Sequence, residues 1–356
     1  MFESSESQKR TELKELGEFG LIDLLSKHVE IKQPSTLKGI GDDAAVLDYS
    51  KGKTLVSTDM LVEGVHFDLS YVPLKHLGYK AVAVNLSDIY AMNGIPKHIT
   101  VSIALSNRFS VEAIEELYAG ILLACGTYEV DLIGGDTTST ASGLIISITA
   151  IGEAQEDQVV YRDGAKDTNL LVVSGDLGGA YMGLQILERE KVIFEENSKE
   201  SLNVQPDLTG MEYILERQLK PESRKDVIEE LARLKIKPNA MIDVSDGLAS
   251  ELIHLGKAAK LGVAIHEDKL PIDQQTFDVA REMHLDPTMC AMNGGEDYEL
   301  LMAVDLKDYD LLKVHPMFTV IGYFTPEEEG FRLIAKGGSS HPIEAQGWNS
   351  FKSESE

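Results

Sequence analysis

Cysteine is nearly absent: Cys125 and Cys290 are the two in 356 residues. Both stand in apolar surroundings ("ILLACG", "PTMCAM"), the pattern of small buried hydrophobes in a reducing compartment, which excludes a disulfide framework or a cysteine-based zinc site. Basic residues are also scarce. Against 59 acids there are 33 bases, a net charge of −26 that argues against nucleic acid or an anionic membrane as the main partner. No apolar run is long enough to span a bilayer. The opening "MFESSESQKR" has neither the basic start nor the apolar middle of a secretory signal. These shortages leave a globular protein expected in the cytoplasm, with residues 1–16 as a loose tail.

What is present is enough chain for two domains of ordinary size. Periodicity predicts a first half with a helix in "GEFGLIDLLSKHV", strands in "AAVLDY" and "TLVSTD", and a long helix through "LGYKAVAVNLSDIYAMN". A strand "HITVSIAL" follows, then a helix capped by Ser110, then the strands "VDLIGG" and "LIISITAIGE". The second half reads as "LLVVSG", a glycine-rich turn into "DLGGAYMGLQILERE", charged helices to about residue 235, "NAMIDV", "GLASELIHLGKAAKL", "VAIHED", "YELLMAV" and "FTVIGYF". Several strands are adjacent without a helix between them, so the expected class is α+β with mixed layers. The expected division is an N-terminal α/β domain over 17–153, a linker over 154–168, a C-terminal α/β domain over 169–351 and a short tail over 352–356.

Acids at strand ends and in glycine-flanked turns form the most informative pattern. They are Asp42 and Asp43 ("GIGDDAA"), Asp59 ("VSTDML"), Asp136 ("LIGGDTTST"), Asp243 and Asp246 ("MIDVSDGLAS"), with Asp88 in the helix "VNLSDIYAMN". Any one of them alone is ordinarily a cap or an Asx-turn. If several converge, each pair about 5 Å apart repels by roughly 3 kcal/mol at an effective dielectric constant near 20, and divalent cations would remove that cost. Oxygen donors without neighbouring His or Cys suit Mg²⁺, which takes one or two protein carboxylates and completes its shell with water and phosphate. Several carboxylates then suggest several ions. Other phosphate motifs fail. "KGKT" lacks the first glycine of a P-loop, "GIGDDA" puts acids where a dinucleotide pyrophosphate would lie, and no Gly-x-Ser-x-Gly elbow occurs. The glycines of "SGDLGGAYMG" fit either a phosphate at helix amides or close packing of the turn.

Eight ordered motifs, "GEFGLIDLL", "GIGDDAAVL", "STDMLVEGVHF", "YKAVAVNLSDIYAMNG", "LIGGDTT", "IDVSDGL", "GGEDYEL" and "GWNSF", resemble those of the thiamine-monophosphate kinase family, within the aminoimidazole ribonucleotide synthetase-like superfamily. The resemblance implies two α/β-layer domains of that type and a homodimer that pairs its N-terminal sheets. It implies transfer of the γ-phosphoryl group of ATP to thiamine monophosphate, with several Mg²⁺ ions. Carried over position by position, it makes Asp43, Ser57, Thr58, Asp59, Asp88, Asp136, Asp243 and Asp246 the metal shell. Tyr118, Gly135, Asp136, Arg162 and Ser245 become ATP contacts, and His66, Glu296 and Trp348 contacts to the thiamine side. The acceptor is already an oxyanion, so no general base is required and none stands out. A selenophosphate synthetase would need a reactive cysteine in its glycine-rich N-terminal segment, and none is there. The alternatives are a synthetase of the same superfamily, a non-catalytic metal or nucleotide binder, and a metal-dependent phosphohydrolase.

Overall fold

The computed structural model describes residues 36–38, 42, 45–48, 52–199 and 206–346. The helix expected in "GEFGLIDLLSKHV", and with it Asp43 and Trp348, lies outside the described residues. The first half builds a six-stranded sheet in the order β1 (Thr36–Lys38), β2 (Ala45–Leu47), β3 (Lys53–Val62), β6 (Leu144–Ala154), β4 (Ile95–Leu105) and β5 (Asp131–Ser139). Among the described residues of this sheet, only the β4–β5 pair is parallel. The second half builds a seven-stranded sheet in the order β13 (Ser340–Pro342), β12 (Phe331–Ile334), β9 (Leu261–His266), β11 (Phe318–Pro326), β7 (Leu170–Ser174), β10 (Leu300–Val304) and β8 (Ala240–Asp243). Two mixed sheets with helices are the expected α+β class. No helix among the described residues is long and apolar enough to cross a membrane.

Helix α1 (Leu74–Ala91) holds the halves together. Residues 77–87 are buried without a break, so this stretch of the helix is covered on every side. One flank packs on β3, β4 and β6 and the other on β8. Leu77, Leu86 and Ile89 are wholly buried, each contributing about 1.5–3 kcal/mol of burial. Helix α2 (Val111–Tyr128), capped by Ser110 through the Ala113 amide, crosses α1 at two glycines. A Cβ on Gly78 would sit 2.0 Å from the Leu117 carbonyl oxygen, and one on Gly120 would sit 1.9 Å from that of Lys75, so any side chain there forces the helices apart.

The polar crossing expected at 154–168 is packed: Val159 and Val160 are buried, and the Val160 amide donates to Met92 O at 3.1 Å. One apolar cluster runs from Leu86, Ile99 and Ile148 of the first half to Val172, Met241 and Met302 of the second. The second half adds α3 (Gly179–Lys199), α4 (Glu212–Leu219), α5 (Lys225–Leu234) and α6 (Leu248–Ala259). It also has α7 (Gln274–Glu282) and α8 (Pro287–Asn293), which the periodicity did not predict.

A polar strap crosses the junction beside α1. Lys191 on α3 pairs with Asp68 at 2.7 Å, and Tyr71 donates to Glu188 at 2.5 Å. Partial burial works to raise the Asp68 pKa, but the Lys191 hydrogen bond and the Ser70 amide outweigh it and bring the group to about 2. The folded value lies below the unfolded 3.8, so this stabilisation is complete above about pH 4 and is lost as pH falls toward 2. Urea unfolding of Asp68→Asn should therefore show a stability deficit near neutrality that closes between about pH 4 and pH 2. A deficit constant across that window would remove the ion pair as its source.

Candidate active site at the junction of the two sheets

Ser57 and Asp59 stand on β3, and alternation turns both toward α1. The Ser57 hydroxyl donates to Asp88 Oδ2, two turns along α1 from Lys80. The Asp59 amide donates to Asn85 Oδ1 at 2.9 Å, and Asn85 Nδ2 is held by Ala81 O at 2.9 Å. From the same helix Ser87 donates to Asp243 Oδ2 at 2.6 Å. Asp243 ends β8 of the other sheet and is buried. Burial raises its pKa and the charge of Asp59 pushes the same way, while the Ser87 hydroxyl and Arg162 pull it back. Asp59 from one half thus comes near Asp243 of the other, and Asp88 follows Ser87, the residue that holds Asp243, on the same helix.

Asp246 joins this group through the loop after β8. Its amide donates to Glu251 Oε1 at 3.2 Å. Burial, then the charges of Asp246 and Asp243, hold the Glu251 carboxyl well above the ordinary carboxylate range. The phenol of Tyr298 is raised in turn by burial and then by Glu296, Asp59, Asp243 and Asp246. The charges of four carboxylates acting on one partly buried tyrosine point to a shared region of excess negative charge. Arg162 is the cation beside it: its amide donates to Asp42 Oδ2 at 3.3 Å, and its guanidinium lies 3.6 Å from Asp42 Oδ1. One member of the double aspartate therefore grips an arginine.

Two expected members of the metal shell stand apart. Adjacent strand residues face opposite sides, so Thr58 points away from α1, where it donates to Ile148 O at 2.9 Å and accepts from Thr149 at 3.0 Å. Register places Asp59 opposite Ile148, Ile148 opposite Val101, and Val101 opposite Gly135. Asp136, the next residue, is therefore three strand spacings from β3, about 14 Å. It lines a separate groove of about 470 Å³ with Tyr118, Gly135, Leu132 and Thr137. The expected ATP contacts divide accordingly: Tyr118, Gly135 and Asp136 share this groove, while Arg162 and Ser245 lie at the junction.

The expected thiamine-side residues also have defined settings. His66 accepts the Val62 amide on Nδ1 at 3.0 Å, which puts the ring proton on Nε2, because a backbone N–H only donates. Glu296, left-handed at φ 57°, donates its amide to Ser245 O at 2.7 Å. Its carboxylate pairs with Lys80 at 3.0 Å and accepts from Gln218 at 2.9 Å. The glycine-rich turn ahead of α3 has its amides taken: Gly178 and Ala180 donate to the buried Asp297 carboxylate at 2.8 and 3.4 Å. That occupancy favours close packing over a bound phosphate there.

Sequence reasoning missed Lys80, Asn85, Ser87, Gln218 and Glu251. The first three were visible as polar residues breaking the apolar run "YKAVAVNLSD". Among the described residues no three His, Cys, Asp or Glu side chains stand close enough to enclose a metal ion by themselves. All donors at the junction are carboxylate or hydroxyl oxygens around a buried, only partly compensated acid. That set fits Mg²⁺ arriving with phosphate, which needs few protein ligands.

Residues 41–154 match the family described as AIR synthase related protein, N-terminal domain. The chain is 36% identical over 343 residues to the thiamine-monophosphate kinase of Bacillus subtilis, which covers 95% of this chain and 100% of that protein. It is 34% identical over 341 residues to the thiamine-monophosphate kinase of Aquifex aeolicus, covering 95% and 99%. A solved structure described as AaThiL complexed with AMPPCP and TMP superposes with a TM-score of 0.81 at 32% identity, covering 96% of this chain and 99% of that one.

Gly135 lets β5 lie against β4 beside the groove, since a Cβ there would come 1.8 Å from the Val101 carbonyl oxygen. Gly135→Ala is expected to lower stability by about 1–3 kcal/mol, read as a lower melting temperature. An unchanged melt would mean that the strands are not so closely spaced.

Proposed function

The chain belongs to the thiamine-monophosphate kinase family, and we propose that it transfers the terminal phosphoryl group of ATP directly to thiamine monophosphate, giving thiamine diphosphate and ADP. The observation that carries the reading is the approach of Asp59 to Asp243 across the two halves, with Ser87 of the intervening helix bonded to Asp243 and the next residue, Asp88, bonded to Ser57. A phosphate oxygen of the acceptor bonds to the γ-phosphorus, and the bridging P–O bond to ADP breaks with its electron pair leaving on ADP. Both partners are anions, so the demands on the protein are alignment and charge neutralisation.

Asp59, Asp88, Asp243 and Asp246, with the Ser57 hydroxyl, are the residues that would hold Mg²⁺. When bound, the metal neutralises phosphoryl oxygens and the surrounding carboxylates. Ser87 and Asn85 orient this set from α1, and Arg162, beside Asp243, offers a planar fork to a phosphate. The groove at Tyr118, Gly135 and Asp136 would take the nucleoside end of ATP. Glu296 and His66 would take the thiamine end, His66 as an N–H donor through Nε2. This co-substrate and the scarcity of cysteine support a cytoplasmic setting.

The outer face of the six-stranded sheet supports a homodimer. Val56, Thr58 and Met60 of β3 lie there beside Ile145, Ser147, Thr149 and Ile151 of β6, and Met60 is 54% exposed. Among the described residues, helices α1 and α2 cover the opposite face. A half-apolar sheet face left open in this way is suited to a second copy of the same sheet.

Incubation with ATP, Mg²⁺ and thiamine monophosphate, followed by separation of the thiamine esters, should yield thiamine diphosphate and ADP in equal amounts. Nucleotide binding without turnover would indicate a binding protein, and ATP breakdown without transfer a phosphohydrolase. Asp88→Asn and Asp243→Asn should each lower turnover by about a hundredfold or more at an unchanged melting temperature. Near-normal turnover in both would defeat the assignment of the junction as the active site. By sedimentation, the protein should be a dimer that Met60→Lys shifts to monomer, and a monomeric wild type would remove the pairing.

A further inference from the structure

Lys80 is 4% exposed, in the middle of a helix covered on both flanks. An ammonium persists in such a place only if its charge and its donors are met. Its Nζ lies 3.0 Å from Glu296 Oε1 and donates to Gln218 O at 3.1 Å. Gln218, on α4 and equally buried, donates through Nε2 to Glu296 Oε2 at 2.9 Å. One carboxylate is thus held at each oxygen by a different element, one from each half of the molecule.

The neighbouring acids of "GGEDYEL" are used differently. Asp297 and Glu299 are buried within the second half, Asp297 on helix amides and Glu299 on Ser174, Arg217 and Arg224. Glu296 alone of the three keeps 30% of its side chain in contact with solvent. Lys80 beside it offsets part of the charge of the carboxylate. Its value is positional: with one oxygen held by Lys80 and the other by Gln218, a part-exposed carboxylate is fixed in place and keeps lone pairs that can accept N–H donors.

Lys80, Val84, Ser87 and Asp88 form one stripe of α1, at i, i+4, i+7 and i+8. Lys80 meets Glu296, Ser87 meets Asp243, and Asp88 meets Ser57. Eight residues of helix span about 12 Å. A single rigid element therefore sets the separation between the held carboxylate and the acids at the phosphate end.

We propose that Lys80 and Gln218 are positioning residues that lock the Glu296 carboxylate as a hydrogen-bond acceptor for the amine-bearing head of the acceptor, with α1 gauging the distance from that head to its phosphate. The proposal deepens the kinase reading and rests on Glu296 as an acceptor contact. Steady-state kinetics in each substrate test it with Lys80→Met, Gln218→Leu, Glu296→Gln and the two double variants that include Glu296→Gln. Lys80→Met and Gln218→Leu should each raise KM for thiamine monophosphate by about tenfold, with KM for ATP within about twofold of wild type. Neither should raise it further when combined with Glu296→Gln.

Equal rises in both KM values would mean a merely structural role and overturn the proposal, as would additive effects in the double variants. If Lys80→Met does not fold, Gln218→Leu and its double variant decide by the same criteria. A wild type that forms no thiamine diphosphate refutes the kinase reading itself. A wild type that does, beside a Glu296→Gln variant with unchanged KM for thiamine monophosphate, refutes this proposal while the kinase reading stands.

Discussion

A buried helix that carries polar side chains imposes the constraint on which this structure turns. Helix α1 lies between two sheets, where an unpaired donor or charge costs several kcal/mol, yet it brings Lys80, Asn85 and Ser87 into that layer. Each is met by a group that only the correct packing supplies: Glu296 and the Gln218 carbonyl for Lys80, the Asp59 amide for Asn85, and Asp243 for Ser87, while Asn85 Nδ2 is met within the helix by Ala81 O. Apolar burial holds the layers together but tolerates sliding. The polar pairs remove that freedom, because a shift of one residue along α1 would strand several of them at once. Docking of the halves and assembly of the acidic junction are consequently the same event.

The same constraint explains how a chain with so large an acidic excess keeps buried carboxylates. Four acids at the junction have a neutral donor or cation: Ser57 for Asp88, Ser87 for Asp243, Arg162 for Asp42, Lys80 for Glu296. Burial first, and then the neighbouring acids, hold Asp243 and Glu251 above the usual carboxylate range, so the region stays short of positive charge. The residual negative potential suits metal-complexed phosphates and repels bare ones. Phosphoryl transfer between two anions asks for that bias and for alignment, and this explains why a chain with few candidate bases is chemically adequate.

Much of the fold was legible because its elements announce themselves locally. Ser110 caps α2, the apolar run "KAVAVNLSDIYA" forms α1, and "LIISITAIGE" alternates as the half-covered strand β6. Helices α7 and α8 were missed because they are short, although Asp273 and Asp286 cap them as ordinary N-terminal residues do. In the site, the carboxylates are visible as a set, but which of them share a face is not. The family resemblance puts Ser57, Thr58 and Asp59 in one metal shell, whereas strand alternation sends Thr58 to the opposite face. Asp136 was grouped by chemistry, whereas register puts two strands between it and Asp59.

The amino-acid sequence by itself determined the class of fold, the family, and the pool of acids and hydroxyls available for phosphate chemistry, since motifs and periodicity are properties of short segments. Only the tertiary structure decided which members of that pool share a space: Asp243 with Asp59, Asp42 with Arg162, Glu296 with Lys80 and Gln218. Those pairings join residues up to more than two hundred positions apart, and burial selects them by the energetic penalty on every polar group left without a partner.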